Sequence, residues 1–209
     1  YYLQKASEIG HELAGSLEVD EVLDLFIEKT CKMLPVDYAY ILKVIEGNKL
    51  QVIRYFSKEK GFVENSIILD SDEGIAGRVR STGQALLFST KKEILAVSKG
   101  HLPDSVESAL CVPVIRNDKV VSVIALTSKR RRSFEKYQLT IVDLLASYFA
   151  VAVENARHHE ETKNKSERCA LTGLYNYSYF EQVLEKEFTL LKRHHIDSLS
   201  LILLDIDHF

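Results

Sequence analysis

Apolar residues recur in steps of three and four through the stretch that begins near Phe134. Ile141, Leu145, Tyr148, Ala152 and Ala156 fall on one helical face, and Leu144, Phe149 and Val153 widen the stripe. Such a face predicts packing on a domain and contact with a second helix. From His158 to Arg168 the chain is almost wholly polar, yet Glu161 with Lys165 and Lys163 with Glu167 stand four apart and support continued helix. No Gly or Pro interrupts the run, so at ~1.5 Å per residue the helix is expected to extend roughly 50 Å, as a rod joining two domains.

Upstream, Leu3, Ile9 and Leu13 predict a short amphipathic helix ending near Gly15. Asp20 is the expected N-cap of a second helix, with Val22, Leu23, Leu25, Phe26, Ile27, Met33 and Leu34 as a wide buried stripe and Pro35 as the stop. The period then shortens to two. Tyr38 to Ile45 and Leu50 to Phe56 read as strands around Glu46-Gly47-Asn48. Ser66 to Leu69 reads as a short strand, Gly74 to Gly83 as a helix closed by its glycine, and Ala85 to Phe88 as another strand. Residues 89 to 105 carry no readable pattern. Ser108 to Ile115 and Val120 to Thr127, joined at Asn117-Asp118, form the clearest hairpin, in which Pro113 demands an edge or an N–H outside the ladder. Beyond the rod, a helix with Val183, Leu184, Phe188 and Leu191 on one face precedes an apolar strand from Ser198 to Leu204. The fold class is α+β: an antiparallel sheet of about six strands with N- and C-terminal helices on one face.

Composition narrows the function. With 46% hydrophobic and 27% charged residues in 209, the chain is globular rather than disordered. A net charge of -3 gives no overall attraction to nucleic acid or anionic lipid. Cys31, Cys111 and Cys169 show no C-x-x-C spacing, which points to a reducing compartment, the cytoplasm, without disulfide or zinc scaffold. No run of about 18 apolar residues is evident, so no membrane contact is expected.

Each candidate site has a functional and a structural reading. The Gly74 to Gly77 loop could cradle phosphate, but Asp70, Asp72 and Glu73 precede it and repel one, favouring a turn and helix start. Cys111, between Leu110 and Val112, reads as a core thiol. Lys129 to Arg132 lacks interleaved aromatics and reads as a solvated face. His158-His159 and His194-His195 are adjacent on helices, about 100° apart, and cannot chelate as i,i+4 pairs do. Tyr38, Tyr40, Tyr55 and Phe56 could line an aromatic pocket or fill a core. Asp205 and Asp207 point to one side of a strand's end, where a carboxylate suits Mg2+; a polar turn is the equal alternative.

Asp72-Glu-Gly-Ile-Ala-Gly-Arg-Val, Leu110-Cys-Val-Pro-Val, Val123-Ile-Ala-Leu and Phe134 to Ala156, in that order, resemble a GAF domain over roughly residues 5 to 157. The resemblance implies a sensory module, dimeric through its terminal helices, with a pocket between the sheet and the loops near residues 60 to 110. The bilin and haem attachment residues of tetrapyrrole-binding GAF domains are not matched, since Val112 rather than His follows Cys111 and His101 falls in the unpatterned stretch; the GAF ligand stays unknown.

Leu171-Thr-Gly-Leu, Asn176 and Asp205-Ile-Asp-His-Phe resemble the opening of a GGDEF domain, the diguanylate cyclase family that joins two GTP into cyclic di-GMP. That resemblance implies Mg2+ held by the Asp205 carboxylate and the Ile206 carbonyl, and GTP phosphates met by the backbone N–H of His208 and Phe209. It assigns no role to Asp207. The family shows Asp where this chain has Cys169 and Arg where it has Tyr177, so an ion pair beside the Leu-Thr-Gly-Leu turn gives way to a less polar contact. The expected domains are 1–157 GAF, 158–168 linker and 169–209 the start of GGDEF. The stretch to Phe209 stops before the GGDEF loop, is expected to be non-catalytic by itself, and is too short to bury a core. A homodimer that sets the spacing of two cyclase domains is the implied mode of control; a degenerate, nucleotide-holding GGDEF domain or a cyclic-nucleotide receptor are its rivals.

Overall fold

The structure, a computed structural model, describes residues 2–64, 67–70, 74–98, 102–193 and 198–204. It divides into two compact units, Tyr1–His159 and Glu160–Phe209. In the first, helices α1 (Tyr2–Gly15) and α2 (Val19–Met33) precede strands β1 (Tyr38–Val44), β2 (Leu50–Ser57), β3 (Gly61–Phe62) and β4 (Ile68–Leu69). Helix α3 (Gly74–Thr82), β5 (Leu86–Phe88), α4 (Lys91–Val97), β6 (Ser108–Arg116) and β7 (Lys119–Ser128) come next, and then the long α5 (Lys136–Glu167). The sheet runs β3-β2-β1-β7-β6-β5, with β4 also pairing β2, and its pairings are antiparallel. Asn117 and Asp118 both take positive φ, 48° and 59°, as the two-residue turn between twisted strands requires.

Alternation along β6 and β7 sends side chains to two cores. Leu110, Val112, Ile124 and Leu126 meet α1, α2 and α5 on one face, where Phe26 and Phe149 pack with ring centroids 4.8 Å apart. Ala109, Cys111, Val123 and Ala125 face α3 and α4 on the other. Terminal helices on one face of an antiparallel sheet agree with the α+β class expected.

Several local expectations are corrected. Glu18, not Asp20, occupies the N-cap of α2 and makes no side-chain cap; Asp20 is drawn instead to Arg54, whose guanidinium reaches Asp20 at 2.8 Å and Asp24 at 2.7 Å, tying α2 to β2. The unpatterned stretch holds α4, capped by Thr90, which accepts from Glu93 N, while the Glu93 carboxylate accepts from Ser89 N at 2.7 Å. Pro113, by contrast, fits the expected edge-like position: β5 pairs β6 only from Ala109 to Cys111, so among the described residues no strand is paired with it on that side. Tyr148 leaves the buried stripe of Ile141, Leu145, Phe149, Ala152 and Ala156. It lies on α1, where a Cβ added to Gly10 would come within 2.8 Å of its ring. Helix α5 also contains an 18-residue window of mean hydropathy 1.4, long and apolar enough to cross a membrane by length and composition only. The stripe just named faces the domain's own core.

The second unit contains α6 (Tyr177–Lys192), none of whose residues is buried. Residues 198–204 form no strand, and Leu201 to Leu204 are 60% to 88% exposed, because a lone apolar strand has no described neighbour to pair with. The turn before α6 is tightly bonded. Asn176 caps α6 through Tyr179 N at 3.0 Å and donates to Ser166 O at 2.6 Å, while Arg168 donates to Gly173 O and stacks on Tyr175 at 4.2 Å.

Candidate functional site

Between the sheet and α3 lies a cavity of about 60 Å³. Its sheet wall is Tyr40, Leu42, Val52, Ala109, Cys111, Ala125 and Thr127; Gly74, Ile75 and Ala76 of α3, with Ser98, Leu102, Ile67 and Leu69, close it. The space exists because β6 and β7 turn small side chains this way and large ones the other. Gly74 opens α3 with φ +69°, a conformation suited to glycine, and a Cβ there would stand 3.5 Å from Ser98 Oγ. That geometry makes the Gly74 loop a wall of the cavity. Asp72 and Glu73 lie outside the described residues, and Asp70 pairs with Lys49 at 3.3 Å.

Aromatic residues flank the site. Tyr40 stacks on Tyr55 at 4.8 Å, Tyr38 lies 6.5 Å from Tyr55, and Lys129 Nζ stands 5.5 Å from the Tyr38 ring centroid. Phe56 does not join them: as the next residue after Tyr55 it points to the opposite face and packs on Phe62 at 5.5 Å. Burial, then the neighbouring Tyr55 and Tyr38, push the Tyr40 phenol up, so it stays a neutral hydroxyl. Burial likewise pushes up the Cys111 thiol, which is 0% exposed. A neutral buried thiol is a poor nucleophile. The cavity thus offers apolar walls and the hydroxyls of Tyr40, Ser98 and Thr127, with no ionised group among its lining residues. That chemistry suits recognition by shape and one or two hydrogen bonds rather than by charge.

The other candidates are separate. Lys129 pairs with Glu59, which raises the lysine and lowers the carboxylate, and Arg131 pairs with Glu107 at 3.0 Å, so these two residues of the 129–132 run are tied down. His158 Nε2 meets Glu154 at 2.8 Å, and His158 and His159 are exposed. Among the described residues no cluster of His, Cys, Asp or Glu could hold a metal. Cys169 stands in the turn before α6, its thiol lowered by hydrogen bonds from Thr172 and the Leu171 backbone. His101, His194, His195 and the expected Mg2+ and GTP residues Asp205, Ile206, His208 and Phe209, with Asp207, lie outside the described residues. The signal that sequence reading missed was the run of small residues Ala109, Cys111, Ala125 and Thr127 at alternate positions.

Comparison with known proteins fits this geometry. Among solved structures, the GAF domain of an Acinetobacter phosphoenolpyruvate-protein phosphotransferase superposes with a TM-score of 0.64 at 20% identity, covering 75% of this chain and 94% of that one. A Neisseria meningitidis free methionine-R-sulfoxide reductase, solved with its substrate, gives 0.64 at 13% identity over 75% of this chain and 90% of that one. Of curated proteins, an Escherichia coli K12 probable diguanylate cyclase, DgcC, is 36% identical over 61 residues, 29% of this chain and 16% of that protein. A Caenorhabditis elegans probable 3',5'-cyclic phosphodiesterase, pde-5, is 23% identical across 95% of this chain and 28% of its own length. The chain therefore spans between about a sixth and about a quarter of these relatives. The GAF domain family model matches residues 16–154, the span that carries the sheet and the cavity, and the chain belongs to the GAF domain family as a sensory module.

Proposed function

We propose that this GAF domain is the input of a protein that regulates cyclic di-GMP synthesis, with α5 as the transmitting element and a GGDEF domain opening at residue 169. The observation that carries the reading is the pair of motifs, Leu171-Thr-Gly-Leu with Asn176 and Asp205-Ile-Asp-His-Phe, and the local similarity to a probable diguanylate cyclase supports it. In this reading Asp205 and Ile206 hold Mg2+, His208 and Phe209 meet the GTP phosphates, and the metal supplies charge neutralisation at phosphoryl oxygens. The exposed apolar residues Leu3 (68%), Tyr137 (44%), Tyr148 (38%) and Val151 (59%) on α1 and α5 support a homodimer through the terminal helices. Ala156 faces the domain's own core, so a cross-linking probe of helix pairing belongs at the exposed His159.

The cavity, far below the roughly 300–1,000 Å³ of drug-sized sites, suits a ligand of a few heavy atoms with one hydroxyl or carbonyl. A second reading, a cyclic-nucleotide receptor, draws on the likeness to a probable cyclic phosphodiesterase; it requires the cavity to open several-fold. Incubation of the full-length protein with GTP and Mg2+ separates the readings. Chromatography detecting cyclic di-GMP supports the regulator of a cyclase, GTP retained without turnover points to a degenerate domain, and saturable cAMP or cGMP uptake by the GAF unit in equilibrium dialysis establishes the receptor.

A further inference from the structure

A second concave site lies away from the cavity, in a groove of about 490 Å³ where α3, the β6–β7 hairpin and α5 meet β1. Lys43, Arg80, Arg116, Lys119 and Arg157 line it, with Val44, Val120 and Val121 as an apolar floor. These cations come from distant stretches of sequence, so the fold itself gathers them. Arg116 and Lys119 face each other across the hairpin turn, and Lys43 is opposite Ser122 of β7. No carboxylate is among the lining residues. The acid engaged with Arg116 is Glu154 of α5, both of whose oxygens take the guanidinium, at 2.5 and 2.6 Å, while one also meets His158.

Arg80 and Arg157 engage partners of their own, as Arg116 does, so the attraction for an anion comes foremost from bringing the Lys43 and Lys119 ammonium groups into the same concavity as these guanidinium groups. Guanidinium forks match phosphate oxygens two at a time, and lysine ammonium groups add point charges. The groove is a single hollow without an aromatic lining residue, unlike the stacking tracks that hold single-stranded nucleic acid. We propose that this groove binds a small molecule carrying two or three linked phosphates, with the valine floor receiving its apolar part. The site lies beside Glu154, so a phosphate that takes up Arg116 loosens the tie between β6 and the outgoing helix. It would be an input separate from the cavity.

Calorimetric titration of the full chain with sodium tripolyphosphate tests this. Saturable one-to-one binding is expected, at least tenfold weaker in a Lys43→Glu, Lys119→Glu double variant and unchanged in Lys136→Glu. Both lysines of the pair are exposed, and a wild-type circular dichroism spectrum verifies their folding. Arg116→Lys, which keeps the charge and loses the fork, is expected to weaken binding several-fold. Displacement by ATP identifies a soluble ligand, and displacement only by vesicles bearing phosphatidylinositol bisphosphate identifies a lipid headgroup; either sustains the phosphate site. No saturable binding, equal loss in Lys136→Glu, or oligo-glutamate binding as tightly as tripolyphosphate overturns it.

Discussion

The two faces of one sheet behave differently. Toward α1, α2 and α5 the strands present Ile41, Leu110, Val112, Ile124 and Leu126, filled against Phe26, Leu145 and Phe149. Toward α3 the same strands present Ala109, Cys111, Ala125 and Thr127 and leave a hollow. Neighbouring residues of β6 and β7 therefore serve opposite ends: one face stabilises, and the other gives up packing for a site. Close packing of the first face lets the second remain incompletely filled.

Truncation of the packed face should cost most. Phe149→Ala is expected to lower unfolding free energy by about 3–5 kcal/mol in urea titration, since a buried ring leaves a cavity that its neighbours only partly refill. Matched insertions sharpen the contrast. Ala39→Val, at 0% exposure on the helix face, should overpack and cost about 1–3 kcal/mol. Ala125→Val, which adds its methyls into the cavity, should cost clearly less; equal losses would mean the hollow is not usable space. Gly74→Ala, at φ +69°, should cost about 1–2 kcal/mol and reshape the cavity wall. Thr90→Ala should cost about 1 kcal/mol by removing the α4 cap.

The smallest effect is one of pH. Burial raises the Cys31 thiol from 9.0 to about 12, with Lys58 partly opposing. A folded-state pKa above the unfolded one means that the protonated thiol contributes stability that is complete below pH 9 and lost as pH climbs toward 12. Cys31→Ala should flatten that part of the stability profile relative to wild type, read by denaturant midpoints across the range.

Much of this was legible from residues. The turn at Asn117-Asp118, the stop before Pro35 and the buried stripe from Ile141 to Ala156 were readable because each arises from local chemistry or from a period. Helix α4 went unread: its cap signal, Thr90-x-x-Glu93, is local, but the helix has only 7 residues, fewer than two turns, and buries one apolar residue, Ile94, so periodicity could not show it. Asp20 and Tyr148 eluded sequence reading for another reason: their partners, Arg54 and Gly10, are distant in sequence. Of the four aromatics, three, Tyr38, Tyr40 and Tyr55, share a face, and Phe56, next in the strand after Tyr55, cannot.

The most direct test of transmission through α5 alters the phase of the helix in the full-length protein. Each added residue turns the downstream chain by about 100°, so two residues inserted after His159 rotate it by roughly 200°, and seven return it close to its starting face. Under the proposed regulation of a cyclase, cyclic di-GMP formation from GTP and Mg2+ should be lost or uncoupled with two and regained with seven. Equal rates in all three proteins would contradict the account.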